Sequence, residues 1–249
     1  MRNYRAVLSS DWNECLAPCG PFDFIFFTYP DLRDDLTKIF RRYTTNALSL
    51  GEAVRLMQRM MPRPIRMDEM DAYLAASFQT YPGLSDWIEW CLSHDILFMI
   101  NTTGMQGYFQ RILGRGQLPS IPALSAHPML RYGGLRSDPD VILDLLEIQD
   151  KPKNTEAAMR LFGITSGKII VMGDSGGDGP HFEWGARAGA LLIGSMTKPS
   201  LEAYCDSRGI AVDVRFGGEG PILRQSEGAV CVSGDFMALT PFVEEYLNR

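Results

Sequence analysis

Two pairs of polar residues, each following an apolar run, are the first in this chain whose types and spacing suggest chemistry. Asp11 closes the run VLSSDWN (7–13) with Asn13 two places on, and Asp174 and Asp178 stand four apart in GDSGGDG (173–179). Carboxylates held together at strand ends suit Mg²⁺, a hard cation that takes oxygen ligands and completes its shell with water and substrate phosphate. The glycines around Asp174 let the backbone turn tightly and approach a ligand. Taken alone, such an Asp-Gly run also reads as a solvated loop. Ser175 in GDSG has no histidine and aspartate arrangement that would make it a nucleophile.

Between these motifs lie hydroxyls and lysines. After ILFMI the chain reads NTTGMQGYFQRIL, in which a threonine at a strand end, then glycine, then a helix can offer a phosphoryl oxygen both a side-chain donor and backbone N–H groups. Thr102 or Thr103 can serve in this way, or as a plain helix N-cap. In DKPKNTEAAMRLFGI (150–164), Lys151 and Lys153 open a helix, where an ammonium gains nothing from the helix dipole. Lys153 is the expected phosphate-neutralising lysine, weighed against an ordinary exposed surface lysine.

Positioning these side chains needs a scaffold. AVLSS (6–10), ILFMI (96–100), KIIVM (168–172) and ALLIG (190–194) read as buried parallel strands followed or preceded by helical patterns, which predicts a doubly wound α/β sheet. In such sheets ligands bind beyond the carboxyl ends of the strands, so DWNE, NTTG and GDSGGD should converge at one edge. The segments 31–43, 49–61 and 67–81 carry apolar residues at helical spacing, with Ser49 and Glu52 spaced as a capping box. The expected organisation is an α/β core from 1–18 and 82–249 with a small helical cap at 19–81. Within 206–234, AVDVRF and GAVCV read as edge strands and GGEGP as a turn, before a closing helix from 235.

Composition narrows the function class. The 249 residues, 45% hydrophobic, suffice for a sizeable core, and 24 Lys plus Arg against 30 Asp plus Glu give a net charge of −6. An acidic chain without a basic run predicts no nucleic-acid partner, and the absence of a bilayer-length apolar stretch predicts a protein with no membrane span, expected in the cytoplasm. Five cysteines, an odd number, read as reduced thiols, and Cys15 with Cys19 reads as part of a turn rather than a zinc site.

Taken in order, strand then D-x-N, a helical insert, strand then T-x-G, a lysine, and strand then G-D-x-x-x-D resemble the haloacid dehalogenase superfamily of aspartate-nucleophile phosphohydrolases, over the chain to about residue 195. FMINTTGMQGYFQRIL is most similar to the phosphoserine-phosphatase-like branch, and that alignment selects Thr102. The resemblance implies that Asp11 attacks phosphorus, that Thr102 and Lys153 bind the transferring phosphoryl group, and that Asp11, the backbone carbonyl of Asn13 and Asp174 hold Mg²⁺. It implies that Asp178 holds a metal-bound water or orients Lys153, and that Trp12, through its backbone amide, contacts the substrate with Thr103 and Gly104. The implied function is a Mg²⁺-dependent phosphatase of a small phosphorylated metabolite acting through an aspartyl-phosphate. The alternative is a catalytically impaired descendant that binds phosphate, metal or a partner.

The departures from the family's D-x-D-G-T are Asn13, Glu14 and Cys15. An amide does not titrate, so Asn13 cannot protonate a leaving group as the second aspartate does. Glu14 is expected to point away from the site, since neighbours in an extended segment face opposite sides. His181, in GDGPHFEW, is a further candidate donor, set against a packing role. A phosphonatase-like reading would need a lysine in the cap, and Lys38, beside Arg41 and Arg42, reads as part of a solvated face. A metal-independent dehalogenase fits poorly with the GDSGGD carboxylates.

Overall fold

In the computed structural model the described residues are 3–44, 47–217, 230–232 and 234–249. The strands are β1 (Ala6–Ser10), β2 (Ile96–Met105), β3 (Ala123–His127), β4 (Val141–Asp144), β5 (Ile169–Gly173), β6 (Leu191–Ser195), β7 (Val214–Phe216) and β8 (Val230–Val232). The helices are α1 (Asp23–Thr28), α2 (Arg33–Thr44), α3 (Leu50–Met60), α4 (Met67–Ser77), α5 (Leu84–Ser93), α6 (Gln106–Gly114), α7 (Asp150–Leu161), α8 (Gly179–Ala188), α9 (Pro199–Asp206) and α10 (Thr240–Asn248). The strands form one sheet in the order β4-β3-β2-β1-β5-β6-β7-β8, and every pairing is parallel.

A parallel sheet covered on both faces needs apolar residues at successive positions, and β1, β2 and β5 supply them. Leu8, Phe98, Ile100, Ile170 and Met172 belong to the core that also takes residues of α5, α6 and α10. Val7, Leu97, Met99 and Val171 belong to a second core with Ala158 of α7, Phe182 of α8 and Leu201 of α9. The chain winds outward from β1 through β4, then returns to place β5 on the other side of β1. That reversal opens a crevice beyond the carboxyl ends of β1 and β5, the usual ligand position in such sheets.

Helices α1 to α4 lie between β1 and β2, and α2, α3 and α4 fall on the three segments read as helical from their spacing. Ser49 caps α3, its hydroxyl accepting from the Glu52 N–H at 3.2 Å while Glu52 returns a bond to the Ser49 N–H at 3.0 Å. The Glu147 carboxylate, just after β4, accepts from the N–H groups of Leu50 and Gly51 at 3.0 and 3.1 Å. It thereby satisfies further orphan donors at the start of α3 and fastens that helix to the sheet's rim. Arg111 of α6 grips Asp71 of α4 with two bonds, 2.7 and 2.9 Å.

Several expectations need correction. NTTG is not a loop, because β2 runs on to Met105, where the register with β3 shifts between Asn101 and Met105 before His127 is reached. The strand β3, ALSAH, was not anticipated: small and polar residues hide its buried character. Helix α1, DFIFFT, was not anticipated either, being short and rich in residues that favour strands. AVDVRF forms a strand over its last three residues, GAVCV over its last three, and most of GGEGP lies outside the described residues. Cys15, Cys19, Cys91 and Cys205 are buried free thiols. Among the described residues no helix is long and apolar enough to cross a membrane.

Candidate active site

β1 delivers Asp11 to the crevice, and its N–H continues the β5 ladder with a 3.1 Å bond to the Met172 carbonyl. The chain then turns at once, the Trp12 carbonyl accepting from the N–H groups of Cys15, Leu16 and Ala17. This turn drives the Trp12 ring fully into the core, edge-on to Phe109 at 5.5 Å between centroids. Trp12 itself does not line the cavity.

Asn13 lines the cavity, but its amide is already engaged. Its Nδ2 donates to the Cys19 carbonyl at 3.1 Å, and its Oδ1 accepts from the Thr102 hydroxyl at 3.2 Å. Thr102 is fully buried and also accepts from the Gly104 N–H at 3.2 Å. Thr103, the next residue of the strand, is the threonine that lines the cavity, alongside Tyr43. Period-two alternation in β2 explains the division, since NTTG lies in strand and not in loop. A Cβ at Gly104 would stand 3.1 Å from Asn13 Oδ1, a tight contact that the Asn13 side chain would have to yield to.

The lysine at the centre of the site is Lys151, not Lys153. Lys151 is 1% exposed, and its Nζ lies 2.5 Å from Asp178 Oδ1 and 3.2 Å from Asp11 Oδ1. Burial alone would lower its pKa, but the two carboxylates outweigh that and hold it above the ordinary lysine value. Lys153 points to solvent, pairing with Asp150 at 3.3 Å. Residues two apart on a helix face nearly opposite ways, so only one of the pair can enter the site. A signal was present in the sequence: Lys151 shares its face with Thr155 and Ala158, both buried, whereas Lys153 shares its face with Arg160. Beneath Lys151, Asn101 Nδ2 donates to the Lys151 carbonyl at 2.9 Å and to Ser9 Oγ and Thr155 Oγ1 at 3.1 Å, which pins the start of α7 to β1 and β2.

Asp174 and Asp178 divide their tasks. Both oxygens of Asp178 are used, Oδ1 by Lys151 and Oδ2 by the N–H groups of Asp174 and Ser175 at 3.0 and 3.2 Å. Asp178 thus orients Lys151 and the loop. Gly173 makes room for it, since a Cβ there would fall 2.5 Å from the Asp178 carboxyl carbon. Asp174 is 1% exposed and its Oδ1 accepts no hydrogen bond. Burial first, then the charges of Asp178 and Asp11, push its pKa up to about 8.

Carboxylate oxygens of Asp11, Asp174 and Asp178 lie within 4.8 Å of one another. Hard oxygen donors, a buried Asp174 oxygen without a hydrogen-bond partner and a surplus of negative charge all fit a divalent cation. Asp11 and Asp174 have capacity for it, and Asp178 has little left.

Two residues stand differently from expectation. Glu14 lines the cavity because its backbone is left-handed, with φ of 58°, so the extended-chain argument does not apply. It meets Lys198, which the sequence did not single out; Lys198 Nζ lies 2.5 Å from Glu14 Oε2 and 2.8 Å from Asp174 Oδ2. His181 does not line the cavity; it is fully buried, with Nε2 3.0 Å from Thr155 Oγ1. Burial, then the Lys151 charge, lowers its pKa to about 3, so near neutral pH it has no proton to give as an acid. The neutral imidazole's contribution to stability is complete above the unfolded histidine pKa of about 6.5 and is lost as pH falls from there toward 3. His181→Asn should flatten the fall in unfolding free energy between pH 6.5 and 4, measured by urea titration; an unchanged slope would contradict the neutral buried imidazole.

The cavity above these groups holds about 420 Å³, with Phe40 and Tyr43 of α2 and Tyr204 of α9 in its walls. Comparison with family models and with curated sequences finds no match. Solved structures do match. An aspartyl-phosphate analogue form of phosphoserine phosphatase aligns over 96% of this chain and 99% of its own, at 14% identity and a TM-score of 0.65. The chain has the fold of phosphoserine phosphatase. A cytosolic 5'-nucleotidase IIIB bound to cytidine shares this fold over 98% of this chain and 86% of its own, at 14% identity and a TM-score of 0.62. A HAD family hydrolase from Salmonella enterica serovar Typhi covers 80% of this chain and 65% of its own, at 16% identity and a TM-score of 0.61.

Proposed function

We propose that this protein is a Mg²⁺-dependent phosphatase of a small phosphorylated metabolite, with Asp11 as nucleophile. The observation that carries this reading is Lys151, buried between Asp11 and Asp178 on the floor of a cavity beside Asp174, in a fold shared with phosphoserine phosphatase. Asp11 would attack phosphorus as the bond to the ester oxygen breaks, giving an aspartyl-phosphate that water then cleaves at phosphorus. Lys151 both holds Asp11 in place and neutralises charge on the transferring phosphoryl group. Asp11, Asp174 and the Asn13 backbone carbonyl would hold Mg²⁺, which supplies electrostatic stabilisation for an anionic substrate meeting a carboxylate nucleophile.

Thr103 is the hydroxyl proposed to meet the phosphoryl group, with Thr102 setting the Asn13 amide behind it. Helices α1 to α4 act as the cap, and Phe40 and Tyr43 bring aromatic surface to the leaving-group side. Among the described lining residues the cations are Lys151 and Lys198, each already paired with carboxylates. The leaving group that suits this wall is uncharged and flat, and it should be a good one, because Asn13 gives it no proton.

The test is hydrolysis of an activated aryl phosphate with Mg²⁺ and with chelator. Turnover that chelator removes supports the reading. Asn13→Asp restores a titrating group at that position and should raise turnover of an alkyl phosphate by about 10²–10⁴-fold. The second reading, a binding protein without turnover, is favoured by the engagement of both Asn13 amide atoms, and it prevails if only Asn13→Asp turns over any ester.

A further inference from the structure

We propose that Lys198 is an internal cation that competes with the divalent ion for Asp174, and that Glu14 gives it a second seat, so that this pair sets the metal affinity of the site. The inference rests on the metal reading above and concerns two residues outside it. Lys198 is fixed at the backbone: its N–H donates to the Asp174 carbonyl at 2.7 Å, and Pro199 opens α9 directly after it. From there the side chain folds back so that Nζ touches a carboxylate oxygen of Asp174 and one of Glu14 at once.

The two seats differ. The Asp174 side chain is 1% exposed, whereas that of Glu14 is 46% exposed at the cavity mouth. An ammonium on Asp174 satisfies the same buried charge that a divalent ion would, and like charges on one carboxylate disfavour each other. Glu14 lets the ammonium step away from Asp174 without losing its counter-charge. Glu14 occupies this place only through a left-handed backbone, φ 58°, that an L-residue rarely adopts. Glycine would take the same turn without strain, but it would leave Lys198 no alternative to Asp174.

The experiment is direct binding of Mn²⁺, followed by the electron paramagnetic resonance of the free ion, for the natural chain, Lys198→Met, Glu14→Gln and the double variant. Asp174→Asn, which should abolish binding, locates the ion. Lys198→Met should tighten binding at least about ten-fold. Glu14→Gln should weaken it several-fold in the natural background and much less once Lys198 is gone, while Lys198→Arg should stay near the natural affinity. Binding unchanged or weaker in Lys198→Met, with its thermal melt intact, overturns the proposal. A fall in aryl phosphate turnover without any change in Mn²⁺ affinity does so too, because it would make Lys198 a substrate contact. No Mn²⁺ binding by any of the proteins removes the metal reading and this inference together, whereas binding indifferent to Lys198 removes this inference alone.

Discussion

Asp11→Asn should lower Mg²⁺-dependent turnover of an aryl phosphate by about 10³-fold or more, the scale seen when a nucleophile is removed from a working site. The substitution keeps the shape of the side chain and its place at the end of β1, where the backbone bond to Met172 is unaffected. It also removes one of three carboxylates that crowd within 4.8 Å, so the fold should be at least as stable as before. Loss of turnover with an unchanged or raised melting temperature is the expected pair of results. Retained turnover would remove Asp11 as nucleophile and with it the phosphatase reading.

The second large effect is expected at Lys151. Lys151→Met leaves Asp178, fully buried, without its cation and leaves Asp11 without its partner at 3.2 Å. Breaking a buried pair by removing one partner typically costs about 3–5 kcal/mol, because the remaining charge stays desolvated. Urea unfolding in the presence of chelator should show that loss, and turnover should fall with it. Lys153→Met, two residues on and exposed, should change stability by no more than about 0.5 kcal/mol. If the two variants behaved alike, the orientation of α7 described above would be wrong.

The contrast between these lysines shows where the sequence stopped being legible. Its motifs bring Asp11, Asn13, Asp174 and a lysine of the α7 opening to one edge of the sheet, as their order implies. Choosing between Lys151 and Lys153 needed the phase of the helix, which Thr155 and Ala158 disclose only when read together with it. The threonines have the same lesson. Alignment selects Thr102, but β2 extends through NTTG, and strand alternation turns Thr102 behind Asn13 and leaves Thr103 facing the cavity.

By itself, then, the sequence determined the doubly wound core, because apolar runs of strand length followed by polar turns and amphipathic helices leave few other arrangements. It determined the residue types gathered at the carboxyl edge, because the strands that carry them are parallel and the topology reverses beside β1. Tertiary structure alone decided which side chains meet. Glu14 and Lys198 are 184 positions apart, and nothing local forecasts that a left-handed residue after Asn13 would reach the N-terminus of α9. His181 looked available in the sequence beside Asp178, yet packing took it out of the cavity and deprived it of a proton. Periodicity fixes the face on which a residue lies; contact, burial and charge partner come from packing between elements distant in the chain.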